Sequence, residues 1–318
     1  MGSGSRIVEP STNPSTLRRS RTEESLFSGG TPFAMPATML HIVAHAVSGD
    51  FLWRSHEEGL ALWSRLLALQ PAALCLMPDH VHLFAARFEP ASFVRVLSGY
   101  ARWRHHHRGG SGRVWTPHPA PERPSGPLHL RRTWRYIALN PCRDELAGDP
   151  LAWVFCTHRD AVGLASPPAV RPARDPERLH HYISADPSVS VEGSGLPQVR
   201  ADAGRPAWGS LVAAVSALTR TPVVRLSHAG HARQLLVAAA RQLGRFSDRF
   251  IAERLELSRW TLQREPEVHP EVLDVVTRVL DKPRFAALGP CDLSQTFAWR
   301  RYMAEQPRRR SRSGWLFG

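Results

Sequence analysis

Between Met39 and Arg104 the spacing of apolar residues switches from two to 3.6, back to two, and again to 3.6. A chain patterned in this way must layer sheet and helix together. Met39 to Ala46 is apolar and partly alternating, which predicts a strand. Ser55 followed by Glu58 makes a capping box. It opens an amphipathic helix with Leu60, Trp63, Leu66 and Leu67 on one side. Ala73 to Met77 and Val81 to Ala86 read as a second and a third strand. Pro90 starts a helix to about Arg104, with Phe93, Val94, Leu97, Tyr100 and Ala101 as its buried stripe. Residues 105–127, full of His, Gly and Pro, read as a loop, and another helix begins near Leu128. The expected class is therefore α+β, with helices packed on an antiparallel sheet.

The remaining chain divides by composition. Residues 1–36, rich in Ser, Gly, Thr, Pro and Arg without periodicity, read as a disordered basic tail. The layered domain spans 37–165, and the Pro-, Ser- and Asp-rich residues 166–205 read as mostly linker. A helical domain is expected over 206–288, and residues 289–318 end in a basic run, Arg308 to Arg312. The net charge is +13 and the isoelectric point about 11.0. Lys282 is the only lysine, so codon bias explains Arg in place of Lys, but not the excess of base over acid. That excess suits a polyanion. No run approaches the roughly 20 apolar residues of a membrane helix, and the amino terminus has no apolar export signal. The four cysteines, Cys75, Cys142, Cys156 and Cys291, are scattered, which argues against zinc ribbons or disulfides and for reduced thiols in a cytosolic protein.

Two segments carry chemistry. In Leu76-Met77-Pro78-Asp79-His80-Val81-His82-Leu83-Phe84, alternate strand residues share a face, so His80 and His82 point together. Two neutral imidazoles make half a metal site. Alone, the pair also fits surface histidines on a half-exposed strand. His41 and His45 could approach the same place, but ordinary strand residues is the plainer reading. The run His105 to His107 fits phosphate contact or plain solvation. In the second segment, Arg132, Tyr136, Asn140 and Arg143 fall along one helical stripe, with Leu130, Trp134 and Ile137 on the other. Pro141 makes Asn140 a kink or helix end. Alone, this segment also fits a half-buried Tyr with an Asn cap. Together, two imidazoles and an amide oxygen leave positions open for phosphate and water, which suits Mg²⁺ or Mn²⁺ better than structural zinc.

These two motifs, in this order, resemble those of the REP-associated tyrosine transposases, a group of single-tyrosine HUH transposases. Leu76 to Phe84 is similar to the group's apolar-Met-Pro-x-His-x-His strand, and Tyr136-Ile137-Ala138-Leu139-Asn140-Pro141-Cys142-Arg143 to its second motif, except at Cys142. Pro150 and Trp153 fit a further motif, but Val154 to Thr157 lack its serine pair. The resemblance covers roughly residues 38–165. It implies a ferredoxin-like sheet, Tyr136 as nucleophile, His80 and His82 as metal ligands, and Asn140 as third ligand of Mg²⁺ or Mn²⁺. It also implies cleavage and rejoining of single-stranded or hairpin DNA in a bacterial cytoplasm, at the nucleoid, by a monomer or homodimer. Arg132 or Arg135 is expected to favour the phenolate. Arg102, Arg104, Arg131, Arg132 and Arg135 are candidate phosphate contacts. A rolling-circle initiator relaxase and a catalytically dead regulator share parts of this pattern.

From Arg245 to Arg264 the pattern resembles a helix-turn-helix, capped by Ser247 and Ser258 and packed through Ile251, Ala252, Leu255, Leu257 and Leu262. Arg259, Trp260, Gln263 and Arg264 then face outward on the candidate recognition helix, where Arg and Gln read guanine and adenine edges. The layout loosely resembles the DNA-binding domain of bacterial replication initiators. A generic three-helix bundle fits the same spacing.

Overall fold

A computed structural model describes residues 39–282 and 285, apart from 48–49, 87–88, 118–119, 194, 200–203, 229, 266–267 and 281. The tails expected at 1–36 and 289–318, with Cys291, lie outside these residues. The described strands are β1 (Leu40–His45), β2 (Ala73–Leu76) and β3 (His80–Ala85). They form one antiparallel sheet in the order β1-β3-β2, with β3 central. His45 faces His80 and Val43 faces His82 across β1, while Cys75 faces His82 across β2. Single bridges extend the edges: His41 with Glu122 and Ala46 with Trp115 outside β1, and Cys75 with Cys156 outside β2. One sheet face carries Ile42, Ala44, Leu74, Leu76, Val81 and Leu83, all at most 2% exposed.

The described residues also form ten α-helices. The Ser55 capping box forms as the sequence predicts and opens α1 (His56–Leu67). Next, α2 (Pro90–Arg108) packs on α1. It runs one turn further than expected and takes in His105 to His107. Arg108 at its end donates to the capping-box carboxylate of Glu58 at 2.7 Å, and Gly109 then turns left-handed at φ 69. A phase detail also departs from expectation: the inward stripe is Phe93, Leu97, Tyr100 and Arg104, and Val94 is 51% exposed. Then α3 (Pro127–Arg143) lies against β2. It continues through Pro141, which removes one i→i−4 hydrogen bond but lies close to the helix end, where little helix remains to be disturbed.

The segment expected to be mostly linker contains α5 (Pro176–Ser184), which follows the short α4 (His158–Ala161). Asp175 caps α5 from the Arg178 amide, and Leu179, Tyr182 and Ile183 are buried on the side that meets α3. Short length and Pro-Ser-rich flanks hide this helix from a composition reading. Beyond it, α6 (Trp208–Thr219) packs on α7 (His231–Gln242), and α10 (Pro270–Val279) packs on both. Between them, α8 (Asp248–Leu255) and α9 (Arg259–Gln263) meet across a turn with Glu256 at φ 54. Ser247 and Ser258 accept from the Phe250 and Thr261 amides, as their cap roles require.

The described residues belong to one compact unit, so the helical half is docked rather than tethered. Arg220, just after α6, makes the joint. It donates to the Val154 carbonyl at 2.7 Å, pairs with Asp160 at 2.5 Å and lies over the Trp63 ring, while its own carbonyl meets His56 at 2.9 Å. Asp160 is fully buried. Removing one partner of a buried ion pair strands the other. Arg220→Ala is therefore expected to lower unfolding stability by about 3–5 kcal/mol, read as a shifted midpoint in urea; a change below about 1 kcal/mol, the scale of an exposed pair, contradicts this account.

Candidate functional site

Alternation along β3 places His80, His82 and Phe84 on the sheet face opposite the apolar one. Cross-strand register then adds His41 and His45 from β1. Four imidazoles gather there. The His80 and His82 rings are 4.8 Å apart at 85°, His41 stacks on His82 at 5.3 Å, and His45 stacks on His80 at 5.2 Å. Only His80 and His82 were singled out by motif; the even spacing of His41 and His45 on a strand was the signal for the other two.

Across this face lies α3. Leu130, Trp134 and Ile137 are its buried apolar side. Tyr136 meets the His82 ring edge-on, 5.4 Å between centroids at 87°. The phenol and the histidine pair thus come together within one chain. Asn140 sits one turn on from Tyr136 and is 4% exposed.

Hydrogen bonds fix the imidazole orientations. His80 Nδ1 lies 2.8 Å from Asp79 Oδ1. A carboxylate only accepts, so His80 donates from Nδ1. His82 Nδ1 lies 3.0 Å from His41 Nε2. His82 Nε2 is buried without a hydrogen-bond partner, and so is Asn140 Nδ2. Burial, reinforced by neighbouring His80, His41 and His45, holds His82 well below the usual histidine range. Burial likewise lowers His41, against the pull of Glu122.

Among the described residues, no group of three or more His, Cys, Asp or Glu is arranged to hold a metal ion. A divalent ion here therefore needs a third donor of another kind, and Asn140 is the amide nearest in sequence to Tyr136. The partnerless His82 Nε2, carried on a ring whose charged form is disfavoured, suits that use.

The cation beside the phenol is not the one expected. Arg143 lies over the Tyr136 ring at 5.3 Å and is held by Asp186 at 3.0 Å. Arg135 is instead 3.3 Å from Asp186 and lies over Tyr182. Arg132 is exposed. Burial raises the Tyr136 phenol above 10.0, Asp144 adds to this, and Arg143 opposes it. The protein alone therefore keeps Tyr136 neutral. Asp186 lies just beyond α5, in the presumed linker, which is why sequence reasoning missed it.

The remaining candidates separate by exposure. Arg102 is exposed on α2, and Arg131 is half-buried and donates to the Pro127 carbonyl at 3.3 Å. Arg104 is 5% exposed and paired with Asp50 at 2.5 Å. It lies on the inward stripe of α2 with Tyr100, which withdraws it as a phosphate contact. Tyr100 is buried and donates to the Leu52 carbonyl, a core role as expected. The three described cysteines are free and buried, also as expected. On α9 and its C-cap, Arg259, Trp260, Gln263 and Arg264 are all exposed, and the Arg264 guanidinium lies 4.0 Å over the Trp260 ring.

A neutral phenol favoured by folding has a defined pH signature. Its folded pKa is raised from 10.0, so the folded state binds a proton the unfolded chain has lost. Stability is unaffected below pH about 10, the ordinary phenol value, and falls as pH rises past it. Subtracting the phenolate absorbance titration of Tyr136→Phe from that of the metal-free wild type should give a transition above pH about 10; one below it contradicts the burial argument. In comparison with known proteins, the chain matches no family model, no curated protein and no solved structure.

Proposed function

We propose that this chain is a metal-dependent DNA nicking and joining enzyme, a single-tyrosine transposase acting on single-stranded or hairpin DNA. One observation carries the reading: Tyr136 packs on His82, whose Nε2 is buried without a partner. A nucleophile beside a partly built metal site is the arrangement phosphodiester transfer needs. In this reading Tyr136 is the nucleophile, and His80, His82 and Asn140 hold Mg²⁺ or Mn²⁺. Such an ion supplies neutralisation of charge on the non-bridging phosphate oxygens.

The Tyr136 oxygen forms a bond to phosphorus as the bond to the 3′ oxygen breaks. The phenol proton leaves, the 3′ oxygen takes up a proton, and a 5′-phosphotyrosine remains. A second 3′-hydroxyl reverses the step and joins strands, so no external energy source is required. Arg143, braced by Asp186, stays over the ring and offsets part of the cost of the developing phenolate. Because Tyr136 and His82 belong to one chain, the reading takes the site as complete within a monomer. A ferredoxin-like arrangement of the sheet and its helices belongs to the same proposal.

The proposal extends to α8 and α9 as a helix-turn-helix that holds the nuclease near its target. Its support is the pair of Ser caps, the buried Ile251, Leu255 and Leu262, and the exposed Arg259, Trp260, Gln263 and Arg264. No helix among the described residues is long and apolar enough to cross a membrane.

With labelled hairpin DNA and Mn²⁺, the wild type should form a covalent adduct on a denaturing gel. Tyr136→Phe should abolish it while retaining DNA binding, and His80→Ala should lose metal-dependent cleavage with the fold intact. An adduct that survives Tyr136→Phe rejects the assignment. Separately, Arg264→Ala should relax sequence preference at one or two base pairs by about 1–3 kcal/mol without stopping nicking. A uniform loss across all DNA argues against base reading.

A further inference from the structure

His41 was read from the sequence as an ordinary strand residue. Its surroundings say otherwise. It is 5% exposed, its Nε2 lies 3.0 Å from His82 Nδ1, and its Nδ1 lies 3.7 Å from Glu122 Oε2. Glu122 is no chance neighbour. Its backbone pairs with His41 in both directions at 2.8 Å, N–H to carbonyl, as an added rung on the edge of β1. A carboxylate is thereby built in beside the outer nitrogen of His41, with its other oxygen 3.7 Å from His129 Nε2.

The 3.0 Å contact between two imidazole nitrogens needs a proton on one of them and a lone pair on the other. If His41 donated from Nε2, a neutral His41 would turn its Nδ1 lone pair toward the Glu122 carboxylate. His82 would then carry its own proton on Nε2, a buried nitrogen with no acceptor. If His82 donates from Nδ1, the first fault vanishes, and the unpartnered Nε2 becomes a lone pair that a cation can meet. His41 carries its proton on Nδ1, facing the carboxylate, and His82 keeps its lone pair on Nε2.

We propose that His41, oriented by Glu122, is a positioning residue that holds His82 as the Nδ1–H tautomer and leaves Nε2 free to bind a divalent cation. His80 receives the same treatment directly from Asp79. The two motif histidines thus have matched carboxylate anchors, one direct and one relayed through a third imidazole. Outer anchors of this kind set ring orientation and ligand basicity. The consequence for metal rests on the nuclease reading of the site; the tautomer does not.

The test uses the full-length chain and has a metal-free arm. Long-range proton–nitrogen correlation spectra of the metal-free protein should place the His82 proton on Nδ1. Mn²⁺ alone, titrated against the protein and followed by the paramagnetic resonance of the free ion, gives affinity. His41→Phe keeps a ring of similar size in the core but has no acceptor. It should lose the single His82 tautomer and weaken Mn²⁺ binding about 10–100-fold. His41→Gln, whose amide oxygen reaches the place of Nε2, should restore much of both. Glu122→Gln alters only a part-exposed side chain and guards against failure of the Phe variant to fold; it should shift His82 toward a mixture of tautomers. A wild-type His82 protonated on Nε2, or unchanged tautomer and Mn²⁺ affinity in His41→Phe or Glu122→Gln, overturns the relay. Absence of Mn²⁺ binding by a wild type that carries the Nδ1–H tautomer upholds the relay and sinks the nuclease reading.

Discussion

Because β3 is hydrogen-bonded on both edges, its side chains have only two places to go, and α3 occupies one of them. The face it covers is not apolar. It holds four imidazoles, and a half-buried phenol is pressed onto one of them. Burying such groups costs free energy unless each finds a partner. Most do, through Asp79, Glu122 and the rings themselves. The exceptions, His82 Nε2 and Asn140 Nδ2, each cost about 1–3 kcal/mol if left unmet.

The same burial sets the electrostatics. Desolvation is the largest influence on His41, His82 and Tyr136, and in each it favours the neutral form. A neutral imidazole is a ligand rather than a repelling cation, so burial helps the two histidines. In the proposed reaction it would hinder the phenol as a nucleophile, and a cation held over the ring would offset part of that cost. Arg143 has that place because Asp186 holds it there, from a segment whose composition reads as linker.

Net charge of +13 does not translate into an equal number of solvent-facing cations. Arg104 and Arg108 tie α2 to Asp50 and Glu58. Arg220 and Asp160 form a buried pair that joins the helical half to the sheet half. Arg159, fully buried, donates to the Phe285 carbonyl, and desolvation lowers it to about 9. These guanidinium groups are structural because a planar fork can satisfy several buried acceptors at once. The exposed arginines include Arg102, Arg259 and Arg264.

What the sequence determined is local. Periodicity placed the three strands and the long helices, hydroxyl caps marked the starts of α1, α8 and α9, and period two put His80 and His82 on one face. Each of these follows from interactions within a few residues, so the string of letters contains them. What tertiary structure decided is every relation across distance. Strand register brought His41 and its Glu122 partner to His82, separated by 41 and 40 positions in the chain. Helix packing set Tyr136 on that same ring and sent Arg104 inward, and Asp186 holds Arg143, which lies over the phenol. No local rule encodes these outcomes, because they depend on which surfaces the whole chain buries together.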